Sequence, residues 1–265
     1  MCDCLVALPA RTASRRTLFA KNSDRPPGEE QVLEWLPPRR DDGPVQATHI
    51  EVAPHRGDTI GSVISRPAWM WGAEHGVNRA GVAIGNATIY TTLDPRPFPP
   101  ALTGMDLVRL GLERGASAVE AVDVITSLLE RYGQGGTGQH DADKPYWSSF
   151  LVADVDMAWV IETSGSAWEA QEIDGSAATS NRTTIESFDA EHRHPHQPVG
   201  TLVDPRLQAS RALLAQPALL GPKDLVAHLR SHEGGPDGWT VCMHAGVQET
   251  TASVVAELGG RVTSA

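Results

Sequence analysis

The order of strand-like and helix-like segments is the feature that most constrains this fold. Short β-prone runs come first, two amphipathic helices follow, four strand-like segments come next, and two more helices precede the last strand-like runs. Runs of strands that alternate with pairs of helices favour two antiparallel sheets covered by helices. A doubly wound parallel sheet needs a single helix between successive strands, and this sequence lacks that pattern. We therefore predict an α+β fold with helices outside two antiparallel sheets.

Local patterns place the individual elements. The first 25 residues predict a β-hairpin, because CDCLVALP and TLFAKNSD are β-prone runs joined by a polar stretch. Apolar residues at helical spacing predict a helix near Gly104–Arg114 and another from Ser117 to Gly133, with Ser117 and Glu120 as a capping box. The other predicted strands are QVLEWL, THIEVA, TIGSVISRP, GVAIGNATIY, SSFLVAD, MAWVIET, SAWEAQEI, SAATSN, WTVCMHA and TTASVVAEL; the other predicted helices are Pro205–Gln216 and Pro222–His232, after an exposed loop at Asp189–Pro205.

Length and charge limit the classes of function. A chain of 265 residues fits one domain with a sizeable core or two small domains, and we expect one domain over residues 1–265. Its net charge of -11 repels phosphate backbones, so we expect no nucleic-acid partner. No apolar run reaches the roughly 18–20 residues of a membrane span, and no signal peptide pattern opens the chain. Three cysteines, an odd number, argue against a disulfide framework, so we expect a cytoplasmic protein without a membrane partner.

The start Met1-Cys2-Asp3 offers a candidate nucleophile. Methionine is normally removed when the second residue is as small as cysteine, which would leave Cys2 with a thiol and a free α-amine. Both groups exchange protons near neutral pH, so the amine can serve as the base for its own thiol. The alternative is a thiol at a frayed terminus, but Cys2 opens an apolar strand rather than a polar tail.

A second polar group ends the paired strand. In the predicted hairpin, Lys21 and Asp24 lie on the strand next to Cys2. A carboxylate there would hold the terminal ammonium, and a cation would favour the thiolate. The other interpretation is a polar turn that leaves the strand, and the two stay open at this point.

Several long motifs, in order along most of the chain, resemble the secernins and the related dipeptidase A cysteine peptidases of the N-terminal-nucleophile hydrolase superfamily. The matching runs are Cys2–Pro9, Phe19–Pro26, Ile64–Glu74, Gly104–Arg114, Tyr132–Gly136, Ala158–Thr163 and Thr250–Ser253.

The resemblance implies a four-layer αββα sandwich with Cys2 as the nucleophile and no cofactor. It also implies that Lys21 and Asp24 are partners of the amine and thiol, and that Asn86 and Asn181 lie around the oxyanion and the nucleophile. A side-chain amide aimed at a developing oxyanion contributes about 3 kcal/mol. Without the resemblance, each asparagine reads as a turn or strand-end residue.

The remaining cysteines and the histidines allow other interpretations. By period-two alternation, Cys4 shares a face with Cys2 and is the alternative nucleophile, although a small buried residue is the simpler interpretation. Cys242, in the strand-like WTVCMHA run, reads as buried in the same way. The histidines of His192–His196 could form a metal site with Cys2 and Cys4, but their spacing fits no zinc pattern, so we predict no metal.

Two departures from the family accompany the resemblance. The chain ends soon after Thr250–Ser253, where secernins continue, so the sandwich is expected to be C-terminally shortened, and Trp147 stands where relatives often have histidine. The first functional hypothesis is a cysteine-type dipeptidase or exopeptidase acting on short peptides or small amides, with homo-oligomers possible. The second is a catalytically inactive secernin-like binding or regulatory protein, and the third is a metal-binding module.

Overall fold

The computed structural model describes residues 1–233, 235 and 237–259. The strands are β1 (Cys2–Ala7), β2 (Leu18–Arg25), β3 (Gln31–Leu36), β4 (Val45–Gln46), β5 (Glu51–Val52), β6 (Ser62–Pro67), β7 (His75–Asn78), β8 (Ala83–Ile89), β9 (Trp147–Ala153), β10 (Ala158–Ser164), β11 (Ala167–Glu172), β12 (Ser176–Thr179) and β13 (Glu249–Glu257). The α-helices are α1 (Gly104–Arg114), α2 (Ala118–Tyr132), α3 (Glu186–His192), α4 (Val199–Leu202), α5 (Asp204–Leu214) and α6 (Pro222–Leu229). Among these described residues, every helix is too short or too polar to cross a membrane.

Two antiparallel sheets carry the fold. The smaller has the strand order β12-β1-β2-β13, and the larger has the order β11-β10-β9-β8-β7-β6-β3. Strand β1 pairs with β2 in antiparallel register, with Cys2 opposite Ser23 and Cys4 opposite Lys21. This pairing confirms the hairpin predicted for the first 25 residues.

The sheets and helices stack in four layers. Helices α1 and α2 pack on the larger sheet, α5 and α6 pack on the smaller sheet, and β1 and β2 face β8 and β9 across the middle. Three clusters of buried apolar side chains fill the spaces between these layers. The predicted αββα sandwich is therefore confirmed.

Alternation along β1 decides which side chains face the middle of the sandwich. Cys4 and Val6 pack in the cluster between the sheets, whereas Leu5 and Ala7 pack toward the outer helices. Cys2 is two residues before Cys4 and shares its face, so its thiol also points between the sheets.

Helix boundaries follow the expected capping chemistry. Helix α1 has the predicted bounds, and the Thr103 hydroxyl and the Asp106 carboxylate satisfy each other's backbone amides at its start. The Ser117 hydroxyl accepts a hydrogen bond from the amide of Glu120, but the Glu120 carboxylate accepts one from Ala116 instead of completing the predicted box. Gly133 ends α2 with a φ of 72°, which suits glycine.

Four elements differ from the sequence-based predictions. SAATSN forms β12, which pairs with β1 in the smaller sheet instead of continuing the larger sheet after β11. Only two residues of THIEVA form a strand, and the predicted loop Asp189–Pro205 contains the end of α3, all of α4 and the start of α5. Residues 239–245, all within the described part of the chain, form bends and one isolated bridge at His244 instead of the predicted strand, and Cys242 is half-buried there rather than buried.

Candidate active site

Cys2 lies on the floor of a cleft of about 700 Å³. It is the first residue of β1, and 5% of its surface is exposed. The cleft is lined by the start of β1, the end of β8 and the loops that follow it, Tyr146 and Trp147, and the segment before β13. Its thiol therefore faces a space large enough for a small molecule.

Lys21 is the nearest cation to the Cys2 sulfur. Its Nζ lies 3.4 Å from the Cys2 Sγ and 3.4 Å from Glu74 Oε2, and it donates a hydrogen bond of 2.5 Å to the Ser23 hydroxyl. Burial lowers the pKa of Lys21, but the negative charge of Cys2 and Glu74 outweighs burial and leaves the pKa above its ordinary value. Lys21 is therefore charged at neutral pH.

Glu74, in the loop before β7, joins two cations next to the thiol. Its Oε2 lies 4.0 Å from the Cys2 Sγ, and its Oε1 lies 3.2 Å from Arg25 Nη1. Burial raises the pKa of Glu74, but Lys21 and Arg25 outweigh it, so the pKa lies below its ordinary value. Glu74 was not among the predicted site residues, although a lone carboxylate between apolar and aromatic residues is a sign that the carboxylate is buried with a partner.

Asp24 lies at the end of β2, beside the chain start. Its backbone oxygen accepts a hydrogen bond of 2.9 Å from the Met1 nitrogen, and its carboxylate accepts one of 2.7 Å from Thr250. Burial raises the pKa of Asp24 to about 6, even though the terminal ammonium and Arg206 act in the opposite direction. Asp24 is thus near the terminal nitrogen, but its side chain lies on the opposite face of β2 from Lys21.

Asn181 holds the backbone nitrogen of Cys2. Its Oδ1 accepts hydrogen bonds from Cys2 N at 2.9 Å and from Arg206 Nη2 at 3.0 Å. Its Nδ2 donates to the Thr88 carbonyl at 2.9 Å. Both ends of this amide therefore have partners, and its contact with Cys2 is through the backbone nitrogen rather than the sulfur.

Asn86, on β8, lies in the wall of the cleft. Its Nδ2 lies 3.2 Å from the Met105 sulfur, which is a weak acceptor, and its Oδ1 has no hydrogen-bond partner among the described residues. A buried amide with one weak partner and one missing partner is available to a ligand.

Arg206 and Asp3 form a second ion pair on the opposite face of β1. Arg206 Nη1 lies 2.5 Å from Asp3 Oδ2 and 3.9 Å from Asp24 Oδ2, and the Ser180 hydroxyl donates to Asp3 Oδ1 at 2.7 Å. Neither residue was among the predicted site residues. Asp3, a charged residue within an apolar strand, could have predicted such an ion pair, because a buried carboxylate needs a partner.

Cys4 and His75 are unsuited to replace Cys2 and Lys21. Cys4 is fully buried, and burial raises the pKa of its thiol well above the ordinary value. His75 Nδ1 lies 3.2 Å from the Ser23 hydroxyl, and burial together with Lys21 lowers its pKa to about 3. His75 is therefore neutral, and Lys21 supplies the positive charge beside the thiol.

By their names, two solved structures with the same fold are an acylase and an acid amidase. Penicillin V acylase from Agrobacterium tumefaciens matches with a TM-score of 0.57 and 14% identity, over 96% of this chain and 79% of that one. An N-acylethanolamine-hydrolyzing acid amidase ortholog from Caenorhabditis elegans matches with a TM-score of 0.51 and 14% identity, over 86% of both chains. At these identities the likeness concerns the fold alone.

A third solved structure is longer than this chain. It is the C2A mutant of conjugated bile acid hydrolase from Clostridium perfringens, with a TM-score of 0.48 and 13% identity over 72% of this chain. The chain spans 56% of the length of that structure.

The family assignment comes from a sequence match. The model of peptidase family C69 matches residues 59–203, which is more than half of the 265 residues. The matched part contains Glu74, Asn86 and Asn181. This chain therefore belongs to peptidase family C69, the family that includes dipeptidase A and the secernins and that the sequence motifs predicted.

Proposed function

We propose that this protein is a cysteine-type N-terminal-nucleophile amidohydrolase that cleaves dipeptides and other short peptides. The observation that carries the proposal is the 3.4 Å contact between Cys2 Sγ and Lys21 Nζ at the floor of the cleft. Membership of a peptidase family supports peptide or amide hydrolysis as the class of reaction.

The chemistry starts when removal of Met1 converts the Cys2 amide into a free amine. The amine then takes the thiol proton, and Lys21 stabilises the thiolate by its positive charge. The sulfur attacks the substrate carbonyl, and the amine returns the proton to the leaving nitrogen. Water then hydrolyses the thioester and regenerates the thiol.

Two groups position that amine. Asn181 Oδ1 already accepts from Cys2 N at 2.9 Å, so it would keep the amine in place after Met1 is removed. The carboxylates of Asp3 and Asp24 carry two negative charges, whereas Arg206 carries one positive charge. A nearby ammonium is therefore favourable. In the chain that retains Met1, the Met1 ammonium lowers the pKa of Asp24 against the effect of burial, so this carboxylate already interacts with a cation at the chain start.

Asn86 is the residue we propose for the oxyanion. Its Nδ2 makes only a weak contact with sulfur, so a substrate oxygen can replace that contact at little cost. Because Asn181 Nδ2 already donates to Thr88, we assign Asn181 to the amine instead of the oxyanion.

The cleft supports a short substrate with charged ends. Its volume of about 700 Å³ lies within the range of roughly 300–1,000 Å³ that suits small ligands. Side chains of both signs line it, including Arg25, Lys144 and Asp143. Zwitterionic dipeptides, whose two termini carry opposite charges, match this mixture better than long apolar acyl chains do.

The test combines intact mass with a panel of dipeptides. We expect the mature protein to lack Met1 and to release free amino acids from some of the dipeptides. Cys2→Ala should keep the circular dichroism spectrum of the parent and lose turnover, whereas His55→Ala, which changes an exposed side chain outside the cleft, should retain it. An uncleavable N-terminal extension should abolish turnover as well, because the base would become an amide.

The inactive-protein hypothesis makes the opposite prediction. A mature chain that retains Met1, or a Cys2 that resists a thiol-reactive amide probe in the Cys242→Ala background, would favour a binding or regulatory role. Dipeptide hydrolysis at the parent rate by Cys2→Ala would refute the assignment of the nucleophile, and Cys4 would then be tested next.

A further inference from the structure

A compact group of donor side chains lies outside the cleft. His232, Cys242 and His244 each offer one ligand atom, and these atoms all lie within 4.8 Å of one another. The Cys242 sulfur is 3.5 Å from His244 Nε2, and the rings of His232 and His244 are 5.0 Å apart with a tilt of 31°. Val241 and Met243 are fully buried on either side of Cys242 and anchor this segment, whereas Cys242 is half-buried and His232 and His244 are exposed, so the three ligand atoms converge outside the apolar core.

The spacing of these atoms suits a tetrahedral zinc ion. With a Zn–S distance of about 2.3 Å and a Zn–N distance of about 2.0–2.1 Å, a tetrahedral ion places sulfur and nitrogen about 3.6 Å apart. The observed separation between Cys242 Sγ and His244 Nε2 is 3.5 Å. One edge of the tetrahedron therefore already has the required length, and rotation of the exposed His232 side chain can supply the third ligand.

The backbone holds two of these ligands in place. The amide of Cys242 donates to the Ser231 carbonyl at 2.8 Å, and the amide of His244 donates to the Gly238 carbonyl at 2.9 Å. The first of these bonds brings Cys242 next to the residue before His232. The positions of the ligands thus depend on backbone hydrogen bonds rather than on flexible side chains alone.

We propose that His232, Cys242 and His244 bind one zinc ion, with a water molecule as the fourth ligand. Imidazole and thiolate donors are those that zinc prefers, and three protein ligands leave one position open. Binding deprotonates the Cys242 thiol, and the proton is released to solvent. The site departs from the sequence-based prediction of no metal, and it uses other histidines than the His192–His196 group considered there.

The ion would fasten the segment that forms one wall of the cleft. Residues 230–248 connect α6 to β13, and Trp239, Val247 and Gln248 from this segment line the cleft. A bond network that joins His232 to Cys242 and His244 closes the loop that carries Trp239. The proposed role is therefore structural, and it holds whether or not Cys2 is a catalytic nucleophile.

Cobalt binding tests the proposal in the full-length Cys2→Ser chain. This background removes the cleft thiol, and because Cys4 is fully buried it leaves Cys242 as the accessible thiol. We expect one Co²⁺ per chain, a thiolate-to-cobalt charge-transfer absorption, and displacement of Co²⁺ by Zn²⁺. Adding Cys242→Ala should remove that absorption, and adding His232→Ala or His244→Ala should weaken binding by at least about 100-fold, since even loss of a residue that only supports a ligand costs 10–100-fold.

Control variants and a second readout complete the experiment. His55→Ala, which removes an exposed histidine elsewhere on the chain, should bind Co²⁺ as the parent does. Zn²⁺ should also slow proteolysis within 230–248 in the parent and not in the exposed-site variant His232→Ala. The proposal is overturned if the charge-transfer absorption survives Cys242→Ala, if His232→Ala binds Co²⁺ with parental affinity, or if the folded parent binds no Co²⁺.

Discussion

Replacing Glu74 with glutamine removes the carboxylate that two buried cations share. In the structure, Glu74 Oε2 lies 3.4 Å from Lys21 Nζ, and Oε1 lies 3.2 Å from Arg25 Nη1. Glutamine keeps the shape of the side chain but removes its charge. We expect Glu74→Gln to be strongly destabilising.

The magnitude depends on which of the two cations keeps another carboxylate within ion-pair distance among the described residues. Arg25 retains Glu29, whose Oε1 lies 2.9 Å from Arg25 Nη2, so most of the cost falls on Lys21. The Lys21 side chain is 0% exposed and would keep the Ser23 hydroxyl and the Cys2 sulfur as its close polar neighbours. Removing one partner of a buried pair typically costs about 3–5 kcal/mol, which is a large part of the 5–15 kcal/mol that stabilises an ordinary domain.

Urea unfolding at pH 7 measures this cost. A Lys21→Met/Glu74→Gln double variant removes the stranded charge, so its loss of stability should be about 2 kcal/mol or more below the sum of the two single losses. The partly exposed pair of Arg66 and Glu34 is the control, and Glu34→Gln should cost no more than about 1 kcal/mol.

The pH dependence of stability gives a second readout. The pKa of Glu74 is lower in the folded protein than its ordinary value of 4.5, so its contribution is complete above that pH and is lost as the pH falls further. Glu74→Gln should therefore flatten the acid limb of the stability curve. A loss below about 1 kcal/mol at pH 7, or losses in the double variant that add within about 0.5 kcal/mol, would refute the reasoning.

Two other perturbations test the surroundings of the site. A Cβ on Gly85 would lie 2.6 Å from Lys21 Cδ, so Gly85→Ala should cost about 1–3 kcal/mol in urea unfolding, while Gly43→Ala, which meets open space, should change stability by less than about 0.5 kcal/mol. Burial raises the pKa of Glu162 to about 7 from 4.5, so the folded protein should lose stability as the pH rises from 4.5 through 7. Thermal unfolding between pH 4.5 and 8 should show a steeper decline in the parent than in Glu162→Gln, which keeps the contribution of Asp24; an equal slope in both would exclude Glu162 as a source of the decline.

Sequence periodicity was enough to predict most elements but not all of their partners. The bounds of α1 and the pairing of β1 with β2 follow from apolar spacing and turn composition. The sheet membership of β12 does not, because alternation shows that a segment is extended and does not show which strand it pairs with. Strand β7 has only four residues, including a glycine, so it gives too little periodic signal.

The candidate site also has contacts that local sequence predicts and contacts that it does not. The positions of Cys2 and Lys21 on neighbouring strands follow from the hairpin, so their contact could be predicted from local sequence. Glu74 and Arg206 reach the same strands from distant parts of the chain, and no local spacing encodes that contact. The sequence does indicate that Asp3 and Lys21 need partners of opposite charge, because both are charged residues inside strands that must be buried.

Each face of β1 and β2 has its own cluster of ion pairs, which supplies partners for these charged residues. Lys21 and Arg25 meet Glu74 on the face between the sheets, whereas Arg206 meets Asp3 and Asp24 on the face toward the outer helices. Burial of each cluster costs desolvation free energy that apolar residues at the same positions would not cost. Stability alone therefore does not account for the two clusters. Together, the two clusters fix both faces of the strand that begins with Cys2. The Cys2 sulfur therefore lies beside a cation, and the Cys2 nitrogen donates to the Asn181 oxygen. Neither atom would need to rearrange to meet a substrate. Under the proposed function, a nucleophile held in this way would lose little entropy on reaction, and that advantage would offset part of the cost of burying six charges around one residue.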